Sequence, residues 1–106
     1  MKNESGLIPV GQAVLVEPYE PEFAVRSSTI VIPPSARERM TMAEQRAKVI
    51  EIGPEAWNDE RGPRAAVGDK VMVSAYAGFL TIGPLDGKQY RVINARDIFL
   101  RIVDEA

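Results

Sequence analysis

Apolar residues recur along this chain in short runs, often alternating with polar ones and separated by glycine and proline. Runs of this kind, enriched in β-branched residues, predict β-strands. They cover residues 12–17, 48–52, 70–74, 79–82, 89–93 and 99–103. The stretch Gly83-Pro84-Leu85-Asp86-Gly87 between two of them predicts a hairpin turn. Six short strands joined by such turns favour a small all-β barrel or sandwich.

Two connections between the predicted strands are unusual. The first runs from Pro18 to Arg46, and a connection this long in a compact domain is usually functional or disordered. Its second half contains Ser35-Ala36-Arg37-Glu38, a capping-box pattern, so a short helix over about 36–46 is one alternative. The second, centred on Trp57, is polar and predicts a hairpin tip.

Composition and charge narrow the function classes. A chain of 106 residues fits one domain. Its net charge of −2 gives no electrostatic reason to bind nucleic acid. No apolar run approaches the roughly 20 residues of a membrane span, and the N-terminus lacks the apolar segment of a signal peptide. The absence of cysteine fits a reducing compartment, so we expect the cytoplasm.

Two residue types on which many enzymes depend are missing. The chain has no histidine and no cysteine, which removes the usual zinc ligands, the usual general base and the common nucleophile dyads. No glycine-rich phosphate-binding motif occurs. We therefore expect neither an enzyme nor a metal or cofactor site in this chain.

Several motifs together resemble those of the GroES-type co-chaperonins, the small ring-forming lids of cage chaperonins. Residues 9–16 are similar to the family's opening strand, and Ile30-Val31-Ile32 to the apolar tripeptide of its mobile loop. Val67-Gly68-Asp69-Lys70-Val71 matches the family's V-G-D-x-V motif. Residues 49–53, 76–78 and 94–102 complete the series. Their order and spacing carry the resemblance, which covers nearly the whole chain.

The loop region departs from the family pattern. Ser28-Thr29 stand where the family has paired glycines, and Ala47 replaces a common glycine. Pro33-Pro34 and the arginine- and methionine-rich segment after them are also atypical. These departures bear on the loop and its partner rather than on the fold. They suit a specialised or virus-encoded member, which would act in the host cytoplasm.

The resemblance implies a fold, an assembly and a function. The fold is an irregular GroES-like β-barrel with a mobile loop over about 19–46 and a roof hairpin over about 54–66. The assembly is a homo-oligomeric ring, expected to be a heptamer. The function is that of a co-chaperonin that caps a cage chaperonin in a nucleotide-dependent way while an unfolded client folds inside the chamber. ATP is bound by the partner, so no cofactor is expected here.

The residues that would carry this function each have a plainer interpretation. Ile30, Val31 and Ile32 are either a core strand ended by Pro33 or a docking anchor for the chaperonin, and the resemblance favours the anchor. Trp57 and Tyr76 are either packed aromatic residues or contacts at the roof and chamber wall.

The last strand raises the same question for assembly. The two-residue period puts Ile98, Leu100 and Ile102 on one face, and Phe99 and Val103 on the other. Such a strand either runs through its own core or pairs with a neighbouring copy. The predicted subunit interface comprises Leu7, Ile8, Val10, Phe99, Leu100, Ile102 and Val103.

Three rival functions stay open at this point. A nucleic-acid-binding barrel would need a basic face with interleaved aromatic residues, and the aromatic residues here are scattered. A relative of the GroES-like catalytic domain of medium-chain dehydrogenases would need metal ligands and a nucleotide domain, which this chain lacks. A ring-forming structural or binding protein without a chaperonin partner satisfies the same sequence features.

Overall fold

The protein folds as one antiparallel β-sheet in a computed structural model that describes residues 3–19, 45–74 and 77–103. The strands are β1 (Ala13–Pro18), β2 (Arg46–Ile52), β3 (Lys70–Val73), β4 (Phe79–Ile82), β5 (Gln89–Asn94) and β6 (Ile98–Ile102). A single 3-10 turn, Ala95–Asp97, joins β5 to β6. The order across the sheet is β4-β5-β1-β2-β3-β6. The all-β prediction is confirmed, and the ends of each predicted strand lie within two residues of those of an observed strand.

The central strand β1 is covered on both faces. Val14, Leu15 and Val16 are all buried. Because successive side chains of a strand point to opposite faces, these three residues enter two different clusters. Val14 and Val16 belong to the larger core, whereas Leu15 packs with Ile50 and Tyr90 in a smaller second core. The remaining buried members of the larger core are Ala47, Val49, Trp57, Ala65, Val71, Val73, Ala77, Ile93, Ala95 and Ile98.

A β-bulge in β2 determines which of its residues contact the larger core and which the second core. Leu15 pairs with Glu51 but Val16 pairs with Val49, so Ile50 is the extra residue. A bulge of one residue shifts the inward and outward alternation beyond it. As a result Val49 and Ile52, three residues apart, both contact the larger core.

A second bulge corrects the predicted faces of β6. Val73 pairs with Ile98 and Met72 pairs with Leu100, so Phe99 is the extra residue. Cross-strand partners share a face, and neighbouring residues of β3 point to opposite faces. Ile98 and Leu100 therefore lie on opposite faces, and the expectation that they share one is wrong. Leu100 and Ile102 do share a face, because their partners are Met72 and Lys70.

The hairpin predicted between the fourth and fifth strands is present. β4 pairs with β5 from Phe79 opposite Val92 to Ile82 opposite Gln89. The amide of Gly83 donates to the carbonyl of Lys88 at 2.9 Å and closes the turn. The positive φ of 71° at Gly87 suits a residue without a Cβ.

The connection between β2 and β3 differs from the expected hairpin. Residues 54–59 form consecutive turns, starting with the amide of Ala56 donating to the carbonyl of Gly53, and residues 60–69 continue as bends, irregular backbone and one further turn without a strand. The segment packs instead through Trp57, whose side chain belongs to the larger core. Of the alternative helix over about 36–46, Arg46 begins β2 and residues 36–44 lie outside the described residues. In the described ranges, no helix has the length and apolar character needed to cross a membrane.

Candidate assembly surface

The N-terminal segment, residues 3–10, is held to the sheet by a small polar cluster. The side-chain amide of Asn3 donates to the carbonyl of Leu7 at 2.7 Å and to the carboxylate of Glu51 in β2. The hydroxyl of Ser5, which is fully buried, accepts a 3.0 Å hydrogen bond from the amide of Leu7. Leu7 itself packs against the second core. The segment is thus fixed while Ile8, 78% exposed, and Val10 point away from its own chain.

The strand β6 is the other half of the predicted interface, and among the described strands it lies at the edge of the sheet. It pairs with β3 on one side and ends the strand order. Ile98 is buried in the larger core, but Phe99, Leu100 and Val103 are exposed and Ile102 is half-buried. A shallow groove follows the strand and is lined by Pro63, Arg64, Ile98, Phe99, Leu100, Arg101 and Val103. Within one chain, then, only the first residue of β6 lies in the core.

The start of β6 is held in place by Arg64, a residue that the sequence patterns did not single out. Its guanidinium donates to the carbonyl of Arg96 at 3.0 Å and to that of Ile98 at 2.9 Å. Its Nε donates to the Glu60 carboxylate at 2.9 Å, which orients the guanidinium. Nothing in the sequence around a single arginine in a polar loop indicates this role, because the two carbonyls that it holds lie more than thirty positions away.

Trp57 is a packed residue in the larger core. Its side chain is 4% exposed, and the indole N–H donates to the carbonyl of Ala95 at 2.8 Å. A residue this buried offers almost no surface to a chamber, so the geometry fits the packed alternative. Its backbone is left-handed, with φ of 57°, which is unfavourable for a residue with a Cβ. Tyr76, the other aromatic residue predicted to lie near a chamber, falls outside the described residues.

The two strands that border the long connection are paired at their outer ends. Glu17 lies opposite Lys48 and Pro18 opposite Ala47, so the chain leaves the sheet and returns to it at neighbouring positions. Beside this point, the Lys70 ammonium lies 5.1 Å from the centroid of the Tyr19 ring, a cation–π contact. Ile30, Val31 and Ile32 belong to this connection and lie outside the described residues.

The turn between β4 and β5 contains a coupled pair of ionisable groups. The Tyr90 hydroxyl donates a short hydrogen bond to the Asp86 carboxylate. Burial and this carboxylate raise the pKa of Tyr90 to about 12. The hydrogen bond from Tyr90 lowers the pKa of Asp86. The pair holds the turn closed and offers no metal site, since the described ranges contain no group of three or more potential ligands.

Comparison with known proteins identifies the family. The sequence profile of the chaperonin 10 kDa subunit, Cpn10, matches residues 6–102. The chain belongs to the Cpn10 family. This match confirms the resemblance drawn from the motifs, and it includes residues 6–10 of the N-terminal segment and the whole of β6.

Curated relatives of this Cpn10 chain are similar over most of its length. The co-chaperonin GroES of Syntrophomonas wolfei is 36% identical over 97 residues, which cover 89% of this chain and 95% of that protein. The co-chaperonin GroES of Methylacidiphilum infernorum is 37% identical, with coverages of 90% and 92%. That of Cutibacterium acnes is 39% identical, with coverages of 92% and 94%. These relatives carry the name of a chaperone rather than that of an enzyme.

Proposed function

We propose that this Cpn10 chain is a co-chaperonin that assembles into a ring, expected to be a heptamer, and caps a cage chaperonin. The observation that carries the proposal is the family match over residues 6–102. ATP is bound by the chaperonin rather than by this chain, and an unfolded client occupies the closed chamber. The cytoplasm is the expected location, or the host cytoplasm if the chain is virus-encoded.

The exposed apolar residues of the chain support the ring. An edge strand with unpaired main-chain groups is a template for pairing with another chain. β6 lies at the edge of the sheet that the described residues form, and Phe99 and Leu100 on it and Val103 just after it are exposed. Pairing it with residues 7–10 of the next copy would bury these side chains together with Ile8 and Val10. Because the two surfaces differ, the contact is head-to-tail, and head-to-tail contacts close into rings when the rotation allows.

The tripeptide Ile30-Val31-Ile32 is the proposed anchor for the chaperonin. Burying one branched apolar side chain contributes about 1.5–3 kcal/mol, so three contribute roughly 5–8 kcal/mol. Ordering a segment on binding costs about 2–5 kcal/mol. The net free energy for each anchor is therefore small. Several anchors on one ring raise the overall affinity through their effective concentration, so that the lid binds firmly and still dissociates.

The pairing of β1 with β2 suits this mode of binding. The two ends of the connection that carries the tripeptide are attached at neighbouring positions of the sheet, since Pro18 lies opposite Ala47. A ring would thus present its anchors at equivalent positions, which simultaneous docking on a symmetric partner requires.

The proposal is tested by mixing the protein with a cage chaperonin of its host and ATP. We expect a lidded complex in electron micrographs and recovery of activity by a denatured client enzyme. Ile30→Asp and Ile32→Asp should each abolish both results while native mass spectrometry still detects the ring. Ser28→Asp is the matched control, since it adds the same charge just outside the tripeptide.

Two results would count against the proposal in different ways. Unimpaired capping by both aspartate variants would show that the anchor lies elsewhere. A stable ring that never forms a lidded complex would favour a structural ring without a chaperonin partner.

A further inference from the structure

The turn between β4 and β5 is attached to the N-terminal segment. The amide of Leu85 donates to the carbonyl of Ser5 at 3.0 Å. The Leu85 side chain lies directly over Gly6, where an added Cβ would be 2.7 Å from its Cγ. Gly6 also has a positive φ of 83°, so both its backbone and its neighbour require glycine. The turn and the segment therefore form one local unit.

This unit carries several exposed apolar side chains. Leu85 is 79% exposed although it is a large apolar residue. It sits over the residue two positions before Ile8, and both Ile8 and Val10 are exposed as well. Large exposed apolar patches on a soluble domain usually mark an interaction site.

A comparison of lengths indicates what covers Leu85. Ile98 lies in the core of its own chain, so the segment available to a neighbour runs from Phe99 to Val103, the residue after β6. At about 3.3 Å per residue this segment extends over roughly 16 Å, whereas Leu7 to Val10 extend over roughly 13 Å. When it is laid along residues 7–10, the longer segment must therefore project beyond one end. The chain turns sharply after Val10, whose carbonyl accepts a 3.1 Å hydrogen bond from Ala13. The projecting end then lies at the Gly6 side, over Leu85.

We propose that Leu85 is part of the subunit interface and contacts Val103 of a neighbouring copy of this chain. All strand pairs in the sheet are antiparallel, and the same direction between copies brings the end of β6 to Gly6. Val103 is 95% exposed in the single chain, so its side chain is accessible to a neighbouring copy. The inference rests on the proposed ring and adds the β4–β5 turn to its subunit interface.

The first test measures assembly. Leu85→Asp should raise the subunit concentration at half-assembly by at least roughly tenfold, because an apolar side chain is replaced by a charge at each contact. Val67→Asp is the matched control, since Val67 is exposed and lies on the β2–β3 connection. It should assemble like the wild type. Sedimentation velocity over a dilution series measures both.

The second test does not depend on the folding of the aspartate variant. The natural chain has no cysteine, so Leu85→Cys combined with Val103→Cys introduces the only thiols. Mild oxidation should produce a ladder of covalent oligomers on a denaturing gel. A mixture of the two single variants should stop at dimers, and neither single variant should form 85–103 dimers alone.

The outcomes separate this inference from the proposed function. If the wild type forms a ring, Leu85→Asp assembles equally well and the double cysteine variant gives no ladder, the role of Leu85 is overturned. The proposed ring itself is then unaffected. A wild type that stays monomeric at micromolar concentration would overturn both.

Discussion

Replacing Trp57 by phenylalanine should destabilise the fold substantially, although Trp57 lies in a loop. The indole N–H is the donor to the buried carbonyl of Ala95 in the 3-10 turn before β6. Phenylalanine keeps an aromatic ring in the core but has no donor. The Ala95 carbonyl would then keep the hydrogen bond from the Ile98 amide but lose the one from the indole, and the smaller ring would leave a cavity beside it.

The expected magnitude follows from these two losses. The lost hydrogen bond contributes about 0.5–1.5 kcal/mol, because the Ile98 amide still donates to the same carbonyl. The volume difference between the two rings adds roughly 1 kcal/mol at about 24 cal/mol per Å³ of cavity. The free energy of unfolding should therefore fall by about 1.5–2.5 kcal/mol. With a urea slope typical of small domains, the midpoint moves down by roughly 1 M.

The assay is urea unfolding followed by far-ultraviolet circular dichroism, because Trp57 is the only tryptophan and its fluorescence disappears in the variant. Wild type and variant are compared at one protein concentration, since association contributes to apparent stability. Phe79→Leu is the control, as Phe79 is exposed and should change stability by less than about 0.5 kcal/mol. A Trp57→Phe midpoint equal to that of the control would refute the reasoning.

Two further predictions concern single contacts. Arg64→Met keeps the aliphatic stem but removes the donors to the carbonyls of Arg96 and Ile98, so amide hydrogen exchange should accelerate in β6 and stay unchanged in β1. Equal protection of β6 in both proteins would contradict this. Tyr90→Phe should raise the pKa of Asp86 toward its ordinary value, measured by NMR titration of the carboxyl. Because that pKa is lowered in the fold, the stability difference between wild type and variant should be present at neutral pH and disappear as pH falls below about 4. The raised pKa of Tyr90 adds a second window, in which the difference is lost as pH rises from about 10 toward about 12. A difference that persists unchanged at pH 2 would rule out the pair as its source.

The strands of this protein were predictable because local composition determines them. Short runs rich in β-branched and aromatic residues indicate all six, and the Gly83–Gly87 turn signals its hairpin without reference to the rest of the chain. The family was predictable for a related reason, since its motifs are short and occur in a fixed order. What local pattern cannot supply is the partner of a residue far along the chain. The hydrogen bonds from Trp57 and Arg64 to residues 95–98 span more than thirty positions, and neither local sequence indicates them.

The bulge at Phe99 shows most clearly how such a long-range feature changes the candidate site. Strict alternation would put Leu100 on the same face as Ile98, toward the core, and Arg101 on the outer face. With Phe99 inserted, Ile98 completes the core opposite Val73, while Leu100 and Ile102 turn to the outer face. One strand can then serve the fold with its first residue and the proposed assembly with those that follow. The exposed apolar end of β6 is thus a consequence of register, because the core accepts only one of its residues.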